Sequence, residues 1–357
     1  FGICIFRQHT KSTSNNGRQE SRPVHIKADT LDDLMHKVIK KLLVSKNHVT
    51  ATRGETTELY GYLLELTNPR ARLSRSEQKG TIFSCIGELL WYLSGSHELQ
   101  FIQHYISTYD NYSDDGNVIY GGYGPRLFSL RGVNQVDNVI QLLKENQYTR
   151  KAVIQLFDAE DITQSRKDVP CTCSLQFLIR KSRLHMFTTM RSNDAFIGLP
   201  HDFFAFTMIQ ELIARAVGVE LGTYKHYVGS LHLYKSNREK AKLFLDEGWQ
   251  STIAMPSMPH NNPLESTIPV VLEAEESIRF GKEIDINSIP LPEYWLDIVR
   301  LLKIFDLSKT SGNTKLINVL KKEMDNKNYT IYINKRNNRH RRVAEPKQID
   351  LVDGIDE

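Results

Sequence analysis

The chain predicts an α+β domain, and four stretches of its 357 residues carry that prediction. "KAVIQLF" at 151–157 and "CSLQFLIRKSRLHMFTTM" from Cys173 have the β-branched and aromatic content of strands. The second of these divides in two at a charged turn over 180–183. "DFFAFTMIQELIARAVGV" from Asp202 is too long and too apolar for a strand and reads as a central helix ending near Gly218. "TYKHYVGSLHLY" from Thr223 returns to alternating, aromatic strand character, so helix and sheet share one core.

The other elements follow in chain order. Residues 1–23 are expected to be a flexible lead-in, polar from about Thr10, and the catalytic domain is expected over 24–255. "TLDDLMHKVIKKLLVS" from Thr30 has a Thr cap, early aspartates and late lysines, the charge order a helix dipole favours, and predicts a surface helix. "SEQKGTIFSCIGELLWYLSGS" from Ser76 is apolar on most sides of its second half, which predicts a largely buried helix holding one acid, Glu88. The divergent region 256–357 is punctuated by Pro256, Pro259, Pro263 and Pro269. It offers two short strand candidates, "TIPVVLE" and "SIRF", and a helix at "PEYWLDIVRLLKIF". It ends in a basic tail, in which "KRNNRHRR" at 335–342 reads as solvated in preference to a nucleic-acid or lipid contact.

Composition narrows the function classes. At 40% hydrophobic and 25% charged, the chain is ordinary globular material. No apolar run approaches the ~18–20 residues that span a bilayer, and no basic-then-apolar leader opens the chain, so a cytoplasmic protein is expected. Cys4, Cys85, Cys171 and Cys173 are too few for a disulfide framework. The net charge of +4 suits an anionic ligand and argues little for nucleic acid.

Two local features raise chemical questions. "AFIGLPHDFFAF" at 195–206 carries the acid Asp202 in apolar surroundings where a helix is about to begin. That acid either caps the helix or faces a ligand. In "VPCTCSLQF", Cys-x-Cys lacks the second cluster a zinc site needs. The two thiols, expected on one side of a strand, are either small buried hydrophobes or include an activated thiolate at Cys171 beside Arg191.

"PCTCSLQF", "MRSNDAFIGLPHD" and "GSLHLY", with "GELLWYL" and "IYGGYGPRL" upstream, resemble the thymidylate synthase family in order and spacing from about Arg53 to Tyr234. The resemblance implies a mixed sheet flanked by helices, through which two subunits pair as a homodimer. It implies transfer of one carbon from the cosubstrate 5,10-methylenetetrahydrofolate to C5 of a pyrimidine nucleoside monophosphate. By the motif match, Cys171 is the thiolate that adds to C6 and makes C5 nucleophilic. Glu88 matches the family's proton-moving acid, and burial should raise its pKa. Arg53, Arg191 and Ser192 match phosphate ligands of the same subunit. Arg150 and Lys151 stand where the synthases have two further arginines. His232 and Tyr234 match the sugar contacts, Asp194 the pterin-binding acid, Gly198 the small residue beside the base, and Tyr120 a tyrosine near the reaction centre. The chain departs from the pattern at Thr172, where the synthases commonly have His.

The resemblance also sharpens the question of Asp202. The synthases have Asn there, an amide that donates to uracil O4 and accepts from N3–H. Cytosine reverses that edge, and a carboxyl group can accept from its N4–H and share a proton with N3. The same substitution marks the phage deoxycytidylate hydroxymethylases. Tyr109 and Tyr112 in "TYDNY" replace synthase tryptophans that exclude water, and polar-tipped rings there admit it. The expected activity is therefore 5-hydroxymethylation of cytidylate or deoxycytidylate. Its alternatives are methylation of deoxyuridylate and a catalytically silent nucleotide-sensing or nucleic-acid-associated protein.

Overall fold

The computed structural model describes residues 24–51, 53–260, 264–310 and 312–336. Its centre is a seven-stranded sheet of β1 (His25–Ala28), β2 (His48–Ala51), β3 (Gly54–Leu66), β4 (Val153–Gln155), β5 (Thr172–Arg180), β6 (Arg183–Asp194) and β7 (Glu220–Tyr234). The order across it is β1-β3-β7-β6-β5-β4, with β2 pairing onto β3. The β1–β3 and β6–β7 pairs are parallel and the rest antiparallel, so the sheet is mixed. Lys181 and Ser182 turn β5 into β6 with φ of 52° and 56°, the positive pair that a tight hairpin of this twist requires.

The helices are α1 (Leu31–Leu43), α2 (Ile82–Leu93), α3 (Leu99–Tyr105), α4 (Tyr123–Phe128), α5 (Gln135–Glu145), α6 (Gly198–Val217), α7 (Arg238–Asp246), α8 (Leu264–Arg279), α9 (Glu293–Thr310) and α10 (Thr314–Glu323). Thr30 caps α1, accepting from the Asp33 N–H at 3.1 Å. The inward residues of the sheet, among them Phe177, Met186 and Tyr224, are fully buried in one core with Phe203, Phe204 and Phe206 of α6. Each such side chain contributes about 1.5–3 kcal/mol by leaving water. Trp91 of α2 and Trp295 and Val299 of α9 belong to the same core. No helix among the described residues is long and apolar enough to cross a membrane.

Several elements depart from the sequence reading. "TIPVVLE" and "SIRF" are not strands: residues 264–279 form α8, with Pro269 inside it. The β-branched run suggests a strand locally, but Thr267, Val271, Ala274, Glu275 and Ile278 are buried at helical spacing, and that face decides. Helix α6 begins at Gly198, four residues ahead of Asp202, so Asp202 lies inside the second turn and caps nothing. A register shift between Thr172 and Ser174 makes Cys173 a bulge residue, which breaks the simple alternation that would aim both thiols one way. Of the basic run, Lys335 donates to the carbonyls of Ser76 and Glu77, and Arg336 packs over Phe305 and donates to Ser308 Oγ at 2.7 Å. Those two are packed, not solvated; residues 337–342 lie outside the described residues.

Candidate active site

Cys171 closes the loop that enters β5 and is half-buried. Its carbonyl accepts from the Arg191 N–H at 2.8 Å. The Arg191 guanidinium doubles back along the same loop, Nε donating to Pro170 O at 2.9 Å and Nη2 to Val169 O at 2.8 Å. Arg53, at the β2–β3 turn, donates from Nη2 to Lys167 O at 3.2 Å, its guanidinium 4.1 Å above the Tyr112 ring. Among the described residues, Arg191 Nη1 and the other nitrogens of Arg53 make no hydrogen bond and are left for an anion.

Burial pushes the Cys171 thiol up from 9.0 to about 11. Arg191 and Arg53 pull it down as expected, but desolvation, Asp168 and Asp202 win. The free protein therefore holds a resting thiol, not an activated thiolate. Alkylation of Cys171 by iodoacetamide, read by peptide mass, is expected still to rise about tenfold per unit at pH 10. Asp202→Asn is expected to shift that profile to lower pH, and a plateau below pH 9 in the wild type would refute the raised thiol.

Beside the thiol, α2 and α6 bring three titratable groups together. Glu88 Oε2 lies 2.8 Å from His201 Nδ1, and Glu88 Oε1 accepts from the Tyr109 hydroxyl at 2.5 Å. His201 Nε2 sits 3.3 Å from Ser84 Oγ. Burial works to raise the Glu88 pKa, but the charge of His201 and hydrogen bonds from His201, Tyr109 and Tyr92 outweigh it, so the carboxyl is held below its ordinary range. The expectation of a raised acid at Glu88 is corrected, because a cationic partner compensates its desolvation. For His201 too, burial opposes the charge, yet Cys85 and Glu88 hold its pKa well above the usual value.

The raised acid is Asp202. Burial and the Glu88 charge push it from 3.8 to about 8, against a 2.5 Å hydrogen bond donated by Asn193 Nδ2 to its Oδ2. Two carboxyls, Glu88 buried and held ionised and Asp202 half-buried and held protonated, stand near one thiol, an arrangement that can supply a proton and accept one.

The remaining predicted residues sort by position. Asp194 Oδ1 accepts from the N–H groups of Phe196 and Ile197 at 2.7 and 2.9 Å, leaving Oδ2 for a ligand. Gly198 sits against the same group: a β-carbon there would lie 3.2 Å from Asn193 Nδ2, which would have to give by a few tenths of an ångström, and in ordinary contact with Asp202 Oδ2 at 3.5 Å. His232 and Tyr234 alternate on β7 with rings 5.1 Å apart, His232 in register with Asp194, and Tyr234 is close enough to Arg53, Asp194 and Cys171 to feel their charges. Ser192 of β6 pairs with Ser230 of β7. Tyr120 is not brought to the thiol: its hydroxyl is tied to Asp161, with Arg166 over its ring at 4.3 Å. Tyr123 stands there instead, its hydroxyl 2.9 Å from Thr172 Oγ1 and accepting from the Thr172 N–H at 3.1 Å. Arg150 and Lys151 are exposed where the chain enters β4, the far edge strand, and do not join the group.

His201, Asn193 and Tyr123 are the residues the sequence reading passed over. The first two sit inside "MRSNDAFIGLPHD", one position before Asp202 and Asp194, and their adjacency to two acids was the available signal. Tyr123 carried none, because which of two tyrosines three residues apart faces the site depends on where α4 starts.

A thiol at a strand end beside arginine donors, with one acid protonated and one ionised, has the parts that thiol addition to an anionic, proton-exchanging substrate needs. Comparison makes the class particular. The thymidylate synthase family model matches residues 30–268, and the chain belongs to that family. It is 33% identical over 197 residues to a deoxyuridylate hydroxymethyltransferase of Delftia phage PhiW-14, a match covering 51% of this chain and 54% of that protein. The chain thus spans about half the length of that relative. It is 28% identical over 266 residues to the deoxyuridylate hydroxymethyltransferase of Pseudomonas phage M6, covering 70% of this chain and 74% of that one. Against the thymidylate synthase of Buchnera aphidicola subsp. Baizongia pistaciae it is 27% identical over 215 residues, 58% of this chain and 80% of the other. The crystal structure of the T4 phage thymidylate synthase shares the fold, with a TM-score of 0.57 and 20% identity over 67% of this chain and 91% of that one.

Proposed function

We propose that this chain transfers one carbon from 5,10-methylenetetrahydrofolate to C5 of cytidylate or deoxycytidylate and leaves it as a hydroxymethyl group. The single observation that carries the choice of base is that a carboxyl, Asp202, stands where the synthases have an amide and is fixed by Asn193; its raised pKa lets it give a proton to cytosine N3. Its protonated oxygen can donate to cytosine N3 while the other accepts from N4–H. As the Cys171 sulfur bonds to C6, charge builds on the ring nitrogen, and that proton is where it is needed. The nucleotide phosphate would take the donors of Arg53 and Arg191 left over from the loop carbonyls, with Ser192 beside them. His232 and Tyr234 would meet the sugar.

The folate fits the residues present. Asp194 Oδ2 can accept from pterin N–H groups, and the half-exposed Ile197 beside Gly198 provides an apolar floor. The folate would supply the one-carbon unit, and Tyr109, anchored on Glu88, would stand where the synthases exclude water with a tryptophan. Arg150 and Lys151 would reach a phosphate only from a second copy, which supports a homodimer paired through the sheet. On the outward side of that sheet Leu178 and Phe187 are half-buried and Tyr227 is 43% exposed.

A second reading is favoured by one property of the same residue. A neutral carboxyl, like an amide, has one donor and one acceptor, so a protonated Asp202 can also face uracil. That would make the chain a deoxyuridylate hydroxymethylase, as the two phage relatives are named. Mass spectrometry of products from CMP, dCMP, UMP and dUMP with methylenetetrahydrofolate separates the two. A gain of a hydroxymethyl group on a cytidylate is expected, and its appearance on a uridylate alone would transfer the assignment.

A further inference from the structure

Three carboxyl groups lie around Cys171, and the reading above uses two of them. Glu88 has an oxygen engaged by His201 and the other by Tyr109, and Asp202 is held by Asn193. The third is Asp168, three residues before the nucleophile, whose carboxylate makes no hydrogen bond among the described residues. Its seat is nonetheless defined. The carbonyls on either side, at Lys167, Val169 and Pro170, are held by Arg53 and Arg191. Asp168 Oδ2 lies so close to the Gly121 α-carbon that a β-carbon there would be 2.3 Å from it. The charge of Asp168 is felt at both Cys171 and Tyr109, so its carboxylate is near the nucleophile and near the tyrosine that replaces a synthase tryptophan. Burial raises its pKa while Arg53, Arg191 and Arg126 restrain it, so it is a stronger base than an exposed aspartate.

We propose that Asp168 is the general base that takes a proton from the water attacking the methylene carbon attached to C5. The inference rests on the hydroxymethyl reading. In this step the water oxygen bonds to the exocyclic carbon, one of its protons passes to the Asp168 carboxylate, and the exocyclic π pair moves into the ring. Re-forming the C5–C6 double bond then expels the Cys171 thiolate, and Asp168 returns its proton to solvent. Nothing is oxidised or reduced. Asp168 suits the step because it is the one of the three acids whose oxygens are both unengaged.

The test is a single-turnover experiment with nucleotide tritiated at C5, comparing wild type with Asp168→Asn. Tritium release reports the new bond at C5, and hydroxymethyl product reports the addition of water. Product formation in Asp168→Asn is expected to fall about 10²–10³-fold. Tritium release is expected to change less than about threefold, with the alkylated nucleotide accumulating on Cys171 as a covalent adduct visible by intact mass. Release and product falling together, or neither falling, would overturn the proposal. Nucleotide affinity by calorimetry without folate should stay within about threefold. If Asp168→Asn does not bind nucleotide, Asp168→Ala with added formate replaces it, and rescue of product formation supports the base while absence of rescue overturns it. Wild type yielding only a methyl product would remove the hydroxymethyl reading and this proposal together. A wild type that hydroxymethylates alongside an undiminished Asp168→Asn removes this proposal alone.

Discussion

Asp202→Asn is expected to move turnover from cytidylate to uridylate, changing the ratio of kcat/KM for the two bases by about 10²–10⁴-fold. The magnitude follows from what a dry pocket charges for an unmatched polar edge: a site built to pair with one hydrogen-bonding pattern leaves groups unpaired against the other. Asp202 is half-buried and its Oδ2 is held by Asn193, which limits how far the carboxyl can turn and adapt. The amide cannot give a proton to N3 as sulfur adds at C6, so cytidylate turnover loses both recognition and proton supply. Steady-state kinetics on the four nucleotides checks this, and an unchanged ratio would show that Asp202 does not read the base. A stability effect accompanies the switch. The folded pKa of about 8 is raised above the ordinary 3.8, so the folded chain keeps a proton that the unfolded chain gives up, and stability contributed by that proton declines as pH rises from about 4 through 8. Thermal unfolding should show Asp202→Asn more stable than wild type near pH 9, with the gap closing toward pH 4.

How much of this was legible in the sequence follows the kind of force involved. The buried helix around Glu88, the hairpin of β5 and β6, and α6 with its stop at Gly218 were readable because apolar periodicity and turn residues are local signals. The strand β3 escaped notice although it is central, because its polar start and half-buried middle follow its neighbours β1, β2 and β7 and not a pattern of its own. Helix α8 was misread since a short β-branched run weighs more to a local reader than a face buried over four turns. At the site, residue identity was legible and protonation was not. Whether an acid in an apolar helix is raised or lowered depends on which partner arrives from another element, and His201 arrives at Glu88 whereas Asn193 arrives at Asp202. The family motif gave the positions of both acids and could not give their charges.

The nucleophile carries the other large expectation: Cys171→Ala should lower turnover by at least about 10⁴-fold while nucleotide affinity stays within about threefold. A thiol lifted to about 11 is ionised in only about one molecule in 10⁴ at pH 7, so the free protein keeps its nucleophile off until a substrate is in place. Asp168 and Asp202 both raise that pKa, and when the Asp202 proton passes to ring N3 the carboxylate left behind faces a protonated ring, whose positive charge favours addition of the sulfur at C6. Sulfur ionisation and ring protonation are thereby coupled, and neither alone is favourable. Cys171→Ser should be nearly as inactive as the alanine variant, since a hydroxyl in the same desolvated seat is further still from ionising. Cys173 offers no substitute despite its nearness, because it occupies the bulge, with its carbonyl accepting from Leu156 and Phe157 at 3.0 and 3.2 Å. Product assays with calorimetry on Cys171→Ala, Cys171→Ser and Cys173→Ala decide the matter. Activity within tenfold of wild type in Cys171→Ala, or a covalent nucleotide adduct on Cys173, would place the nucleophile elsewhere.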